Sequence, residues 1–355
     1  IRRPPRSTLD RSSAASDVYK RQILHIYVAY LGVDHLLADP ILRLDQSTIH
    51  YSRFMNTLIT YLKLSLLVTV GLLLGCAEQS DETAASTVKK IIVALEPDKD
   101  PDAMLEDRAA LESYLSETTG KPVEAIVPMS SAVIYEGLRN GTIDLAYLSA
   151  TAAGKLIEQD IIDILLAELI AGKPYYQSYW ITLKDAPYQN ITELKGQPIA
   201  FSSRTSTSGF LIPVWDLYTQ GLIDLENGPE GFFGEGHVFY GTGYVSAAER
   251  VLRGEALAAA VSYYVIDKDK HLNKAQRERL RMLDSQGPVP SHVIVVRKGL
   301  SGLDQTALQA ALLEMNTDAS SLRDRIFGAE LAPAKADTHL QTTLEALKIS
   351  RTMQF

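Results

Sequence analysis

From residue 90 onward the chain alternates short apolar runs with stretches of helical periodicity, and that alternation limits the folds open to it. Lys90-Ile91-Ile92-Val93-Ala94-Leu95 is the length of a buried strand and too short for a helix. Residues 103–118 repeat apolar side chains at Leu105, Ala109, Leu111 and Leu115, the spacing of one helix face. Gly120-Lys121-Pro122 stops that helix. The same reading predicts strands over 123–127, 143–148 and 161–169, and a helix over 132–139 with Ser130 and Ser131 as candidate caps. Strands that alternate with helices bury their apolar faces in an open, mostly parallel α/β sheet. Ligands of such sheets bind beyond the carboxyl ends of the strands, in the loops that begin the helices.

The pattern then repeats. Tyr175-Tyr176-Gln177-Ser178-Tyr179-Trp180 opens a β-prone run to Leu183, the expected passage into a second lobe. A second sheet is predicted to begin over 199–203. Residues 228–243 are glycine-rich but hold no GxGxxG running from a strand into a helix. A helix is expected over 245–253, a small-residue strand over 256–261 and a charged surface helix over 272–281. Residues 293–296 read as a strand returning to the first lobe, followed by helices over 303–315 and 319–327. The expected division is therefore 88–178 for the first part of lobe one, 179–287 for lobe two and 288–330 for the return. Residues 331–355 read as a polar helical tail with little to fix its place.

The amino-terminal quarter is of another kind. Residues 1–54 read as a non-native or read-through leader, because 1–22 are basic, polar and poor in apolar residues. Met55 reads as a start. Residues 64–74 (LSLLVTVGLLL) form an apolar stretch too short for a comfortable membrane span. It ends in Leu73-Leu74-Gly75-Cys76, which resembles a bacterial lipobox. The resemblance implies a signal peptide over 55–76, lipidation of Cys76 and a polar tether over 77–87. The protein would then be exported and held on the periplasmic or outer face of a bacterial membrane.

The loop with most chemistry in it is Ser206-Thr207-Ser208-Gly209, between an apolar strand and a helix that carries Pro213 in its opening turn. Hydroxyls and unpaired backbone N–H groups gather there at the positive end of a helix, an arrangement that binds oxyanions. The plainer reading is a Ser/Thr cap with no ligand. Two other strand-to-helix loops also carry hydroxyls, Ser130/Ser131 and Ser149/Thr151. The net charge of −8 argues against a nucleic-acid surface, although neutral donors still bind a small anion. One cysteine excludes an intrachain disulfide and a cysteine zinc cluster. The seven histidines have no HxxxH or HExxH spacing, so neither metal nor cofactor is expected. Neither Ser206 nor Ser208 has the flanking glycines of a nucleophile elbow, and no P-loop occurs. A binding protein is expected rather than an enzyme.

Five segments taken together resemble the phosphate/phosphite/phosphonate substrate-binding proteins of ABC transporters. They are 136–147 (EGLRNGTIDLAY), 175–178 (YYQS), 194–201 (LKGQPIAF), 206–213 (STSGFLIP), and Pro288-Val289-Pro290 ahead of 293–298 (VIVVRK). The resemblance covers residues 90–327. It implies a two-lobed periplasmic-binding-protein fold (type II-like), with each lobe an open, mostly parallel sheet flanked by helices, closing over its ligand about a hinge. It implies capture of a phosphonate-, phosphite- or phosphate-like oxyanion and delivery to an ABC permease; the alternative is a sensor of the same fold that signals to a membrane receptor or kinase. Carried over by position, the family's binding hydroxyls fall on Ser206, Thr207 and Ser208, and a cleft tyrosine on Tyr176. Ser131 stands where the family has its first-lobe tyrosine, Tyr244 where it has a histidine, and Leu257 where it has an aspartate. Tyr244 can donate to an oxyanion through its hydroxyl, and Tyr263 and Tyr264 are further cleft candidates. Loss of a carboxylate acceptor at Leu257 predicts a ligand without donors, or an acceptor supplied from elsewhere.

Overall fold

The computed structural model describes residues 88–96, 105–268 and 270–353. Cys76 and the expected leader, signal peptide and tether lie outside the described residues. Along the first half run β1 (Ile91–Ala94), α1 (Leu105–Thr119), β2 (Val123–Ile126), α2 (Ser131–Asn140), β3 (Leu145–Leu148), α3 (Ala150–Ile157) and β4 (Ile162–Leu169). Then come β5 (Tyr175–Leu183), β6 (Ile199–Phe201), a π-helical turn (Thr207–Leu211), α4 (Ile212–Thr219), α5 (Gly228–Phe233) and β7 (Val238–Tyr240). The chain continues through α6 (Tyr244–Leu252), β8 (Ala258–Ser262), α7 (Tyr264–Asp267), α8 (Lys274–Glu278), β9 (Leu280–Pro290) and β10 (Val293–Arg297). It closes with α9 (Gly302–Glu314), α10 (Ser320–Ile326), β11 (Glu330–Pro333), α11 (Ala336–His339) and α12 (Gln341–Thr352).

Two open sheets result, one per lobe, in the orders β11-β4-β10-β3-β1-β2 and β7-β6-β8-β5-β9. Each is mixed, which corrects the mostly parallel sheets expected from sequence. In the first sheet β1 pairs parallel with β2 and β3, while β10 runs antiparallel to both β3 and β4. In the second, β6 pairs parallel with β7 and β8, and β5 runs antiparallel to β8 and β9. The reason is the double passage between lobes. A strand returning from the other lobe arrives reversed and inserts antiparallel, without the helical crossover a parallel neighbour needs. The passages fall at 170–174 and 291–292, outside the strands. The expected lobe limits at 178 and 287 cut through β5 and β9, both of which lie wholly in the second sheet.

Helices cover both faces of each sheet. One apolar cluster joins α1, α9 and α10 to the first sheet, and another joins α2 and α3 to its opposite face. In the second lobe Trp180 packs on Phe201 and Phe233, with ring centroids 5.4 and 6.0 Å apart, among residues of α4 and α5. Ala247, Ala248 and Val251 of α6 close the other face. Asp144, in the EGLRNGTIDLAY segment, is a structural residue. Its carboxylate accepts from Ile92 N and Arg297 Nε, both at 2.9 Å, and so ties β10 to the start of β3. Gly141, at φ 79°, ends α2 in the left-handed conformation that lets the chain turn toward it.

The expected helix over 272–281 is only α8, five residues long, after which the chain enters β9. Residues 331–353, left without a place by their sequence, are anchored. β11 extends the first sheet alongside β4. Ala346 and Leu347 of α12 are buried behind the cleft, and Met353, just past its end, is buried in the second lobe's core. Burial of side chains the size of Leu347 and Met353 contributes ~1.5–3 kcal/mol each.

Candidate functional site

The two lobes face each other across a cleft of about 720 Å³. On the second lobe β6 delivers the chain into Ser202-Ser203-Arg204-Thr205-Ser206, and the π-helical turn begins at Thr207. Leu211 N donates to Ser206 O at 3.0 Å and Ile212 N to Thr207 O, the wide spacing of a π turn. Ser206 caps it, its hydroxyl accepting from Gly209 N at 3.0 Å. Gly209 is required by close approach. A Cβ there would sit 2.4 Å from Ser202 Cβ and 2.5 Å from Ser202 Oγ. The first N–H groups of the turn have no acceptor within the helix, as at any helix start.

On the first lobe β3 leads through Ser149 into α3. Ser149 caps that helix, accepting from Ala152 N at 3.4 Å. The two helix starts meet. Thr207 Oγ1 accepts from Thr151 N at 3.1 Å and shares a hydrogen bond with Thr151 Oγ1 at 2.9 Å. A hydroxyl of lobe two is thus bonded to the amino end of a helix of lobe one. The positive ends of α3 and of the Thr207 turn point into one space.

The expected site residues separate into layers. Ser131, Ser149, Tyr176, Ser206, Thr207 and Tyr244 all line the cleft. Ser208 does not; it is fully buried one layer behind. There it links the tyrosines, accepting from Tyr176 OH at 3.2 Å and bonding Tyr244 OH at 2.7 Å. Ser178 Oγ donates to Ser208 O at 2.5 Å and accepts from Gln286 Nε2 at 2.8 Å, so buried polar groups of β5 and β9 hold the turn from below. Tyr263 and Tyr264 line the cleft as well. Leu257 is nowhere near it. It packs against the second lobe's core just before β8, so its lack of a carboxylate removes nothing from the site. The tyrosine missing at Ser131 is supplied one turn later by Tyr135, which also lines the cleft.

Sequence reasoning missed the acidic wall. Glu96, just past β1, accepts from Ser149 N at 2.6 Å. Glu168, in β4, accepts from Tyr147 OH, whose hydroxyl also lies 3.1 Å from Phe327 O. His292 stands between the two carboxylates, 3.7 Å from Glu96 Oε2 and 3.7 Å from Glu168 Oε2. Its ring stacks on Tyr147 at 5.2 Å between centroids. Burial holds the Glu168 carboxyl above its ordinary range, against the opposing pull of His292 and of the Tyr147 hydrogen bond. Burial, reinforced by Glu96, pushes Tyr135 up to about 12, and burial raises Tyr176 and Tyr263 too. These phenols therefore remain protonated donors at neutral pH. Lys268 and Lys270 add positive charge to the lining. The position of Glu96 and Glu168 at the carboxyl ends of β1 and β4 was the usable signal, since ligands of open α/β sheets bind at those ends.

Two lobes, a cleft between their strand ends and helix starts aimed across it define a solute-binding protein. A family model for the ABC transporter, phosphonate, periplasmic substrate-binding protein matches residues 93–339, more than half of the chain, and the protein belongs to that family. The family binds its ligand and does not turn it over. The phosphate-import protein PhnD of Mycolicibacterium smegmatis is 26% identical over 219 residues, covering 56% of this chain and 64% of that protein. The chain thus matches less than two thirds of that relative's length. Among solved structures, XAC2383 from Xanthomonas citri bound to chloride ion superposes with a TM-score of 0.64 at 21% identity, over 75% of this chain and 99% of that one. PhnD1 from Prochlorococcus marinus in complex with methylphosphonate gives 0.60 at 17% identity, over 75% and 98%. These two likenesses speak for the fold. Among the described residues no helix is long and apolar enough to cross a membrane, and no cluster of His, Cys, Asp and Glu could hold a metal ion.

Proposed function

We propose that this protein captures a phosphonate-, phosphite- or phosphate-like oxyanion between its lobes and hands it to an ABC permease, as an exported lipoprotein held on the membrane through Cys76. The observation that carries the reading is the meeting of Thr207 with the start of α3, where Thr151 N and Thr207 Oγ1 lie 3.1 Å apart. Two helix starts and the hydroxyls of Ser149, Ser206, Thr207, Tyr176 and Tyr244 can replace the water around a small anion. Closure then strengthens each bond by excluding solvent. The PhnD relative is a phosphate importer by name and PhnD1 holds methylphosphonate, which agrees with this ligand class.

Glu96 and Glu168 refine it. Two carboxylates repel a fully ionised anion and accept hydrogen bonds from a donor. The ligand therefore carries a proton or an amino group on the side facing them. Calorimetry of the purified mature chain against phosphate, phosphite, methylphosphonate, 2-aminoethylphosphonate and sulfate tests both parts. Absence of heat from every phosphorus oxyanion sinks the ligand class. If, at a pH high enough to remove the last proton of methylphosphonate, it binds as tightly as 2-aminoethylphosphonate, the donor-bearing ligand is wrong while the oxyanion survives.

A further inference from the structure

The last helix, α12, has two buried faces, and they belong to different lobes. Leu340, just ahead of it, and Leu344 pack into the first lobe's core beside α2 and α3. Arg351 continues that face with a two-pronged ion pair to Glu158, at the end of α3, at 2.6 and 2.7 Å. Ile349 and Met353 pack into the second lobe's core with Val214 and Leu217 of α4. The spacings 340, 344, 347, 351 and 346, 349, 353 are two separate stripes on one helix. Ala346 of one stripe and Leu347 of the other join Tyr176, Leu211, Ile212 and Val289 directly behind the cleft. Contact with α3 is close to backbone distance. A Cβ on Gly154 would lie 2.9 Å from Leu347 Cδ1 and 3.1 Å from Thr343 Cγ2.

The elements that α12 touches from behind are the ones that meet in front. α3 carries Thr151 and the π turn carries Thr207, and their hydrogen bonds join the lobes. We propose that α12 is a brace across the back of the hinge that sets the balance between open and closed lobes, and with it the affinity for ligand. Both faces are buried in the form in which Thr151 and Thr207 meet. The burial of both faces therefore counts toward the closed form. Ligand that binds only that form is held more tightly when the closed fraction is larger. The inference rests on the reading of the cleft as a two-lobed capture site.

The test uses the full chain with Arg351→Ala, on an exposed pair that does not threaten folding, and Ile349→Ala, on the lobe-two stripe. Calorimetry with methylphosphonate and phosphate gives Kd, melting curves report the fold, and a fluorophore pair with one dye on each lobe reports lobe separation. The expected result is cooperative melting, wider lobe separation without ligand, and a Kd weakened about 2- to 5-fold for Arg351→Ala and about 10-fold for Ile349→Ala. Ligand dissociation should be faster. The exchange Glu158→Arg with Arg351→Glu should restore Kd and lobe separation together. Folded variants with wild-type Kd and wild-type lobe separation overturn the brace. If Ile349→Ala does not fold, Arg351→Ala and its charge exchange decide alone. If the wild-type chain binds neither probe, the ligand assignment fails, and lobe separation without ligand still decides: wider in the variants supports the brace, unchanged refutes it.

Discussion

At the scale of single residues the decisive atom is Thr207 Oγ1. It accepts from a buried backbone N–H of the opposite lobe and belongs to a loop that lines the cleft. Thr207→Ala leaves Thr151 N without its partner in the closed form, a loss of about 1–3 kcal/mol. Calorimetry should record an affinity about 5- to 150-fold weaker, with Thr207→Ser near wild type. Equal affinity for the alanine variant would move the ligand away from this turn. Residue identity also misleads when position is guessed by alignment alone. Leu257 looked like a lost acceptor and packs against the second lobe's core, while Tyr135 stands one turn from Ser131 and lines the same wall. A one-turn shift along a helix preserves the face, so a side chain can be exchanged between positions four apart without leaving the site.

At the scale of elements the Ser206-to-Leu211 turn shows how tightly local sequence and packing are joined. Gly209 meets Ser202 at a separation no Cβ could occupy. Gly209→Ala should cost about 1–3 kcal/mol of stability through overpacking and should weaken ligand binding by tilting the turn. Adding Ser202→Gly should return part of the lost melting temperature; no recovery in the double variant would mean that the contact is not the cause. The strands missed by sequence reasoning have a shared reason. β7, β9 and β11 all lie at sheet edges, paired on one side only. An edge strand need not be a continuous apolar run, and it tolerates the Gly287, Pro288 and Pro290 of β9. The central strands β1, β3, β6, β8 and β10 are almost wholly buried, and each was legible as an apolar run. Both acidic residues of the cleft wall escaped notice for the opposite reason. Single glutamates at strand ends resemble ordinary solvated positions until the sheet brings them to His292.

At the scale of the whole molecule the buried Glu168 couples the cleft to pH. Its raised pKa comes from burial, so the folded state favours the protonated carboxyl. The stabilising share is complete below the unfolded value near 4.5 and is lost as pH rises through the higher folded value. Glu168→Gln keeps an acceptor for Tyr147 and removes the titration. Melting curves should therefore show the variant gaining on wild type as pH rises above 4.5; a parallel pH dependence for both proteins would assign the effect to another group. The amino-acid sequence by itself determined the alternation of strands and helices, the two-lobed α/β class, the family and the hydroxyl-rich helix start at Ser206–Gly209. Those follow from local periodicity, turn chemistry and short motifs, each readable within a dozen residues. Only the tertiary structure decided the mixed strand directions, the pairing of Thr207 with the start of α3, the Glu96–His292–Glu168 wall and the place of the last helix. Each of these joins residues tens to hundreds of positions apart, and α12 in particular has an apolar pattern that makes sense only once two lobes exist to bury its two faces.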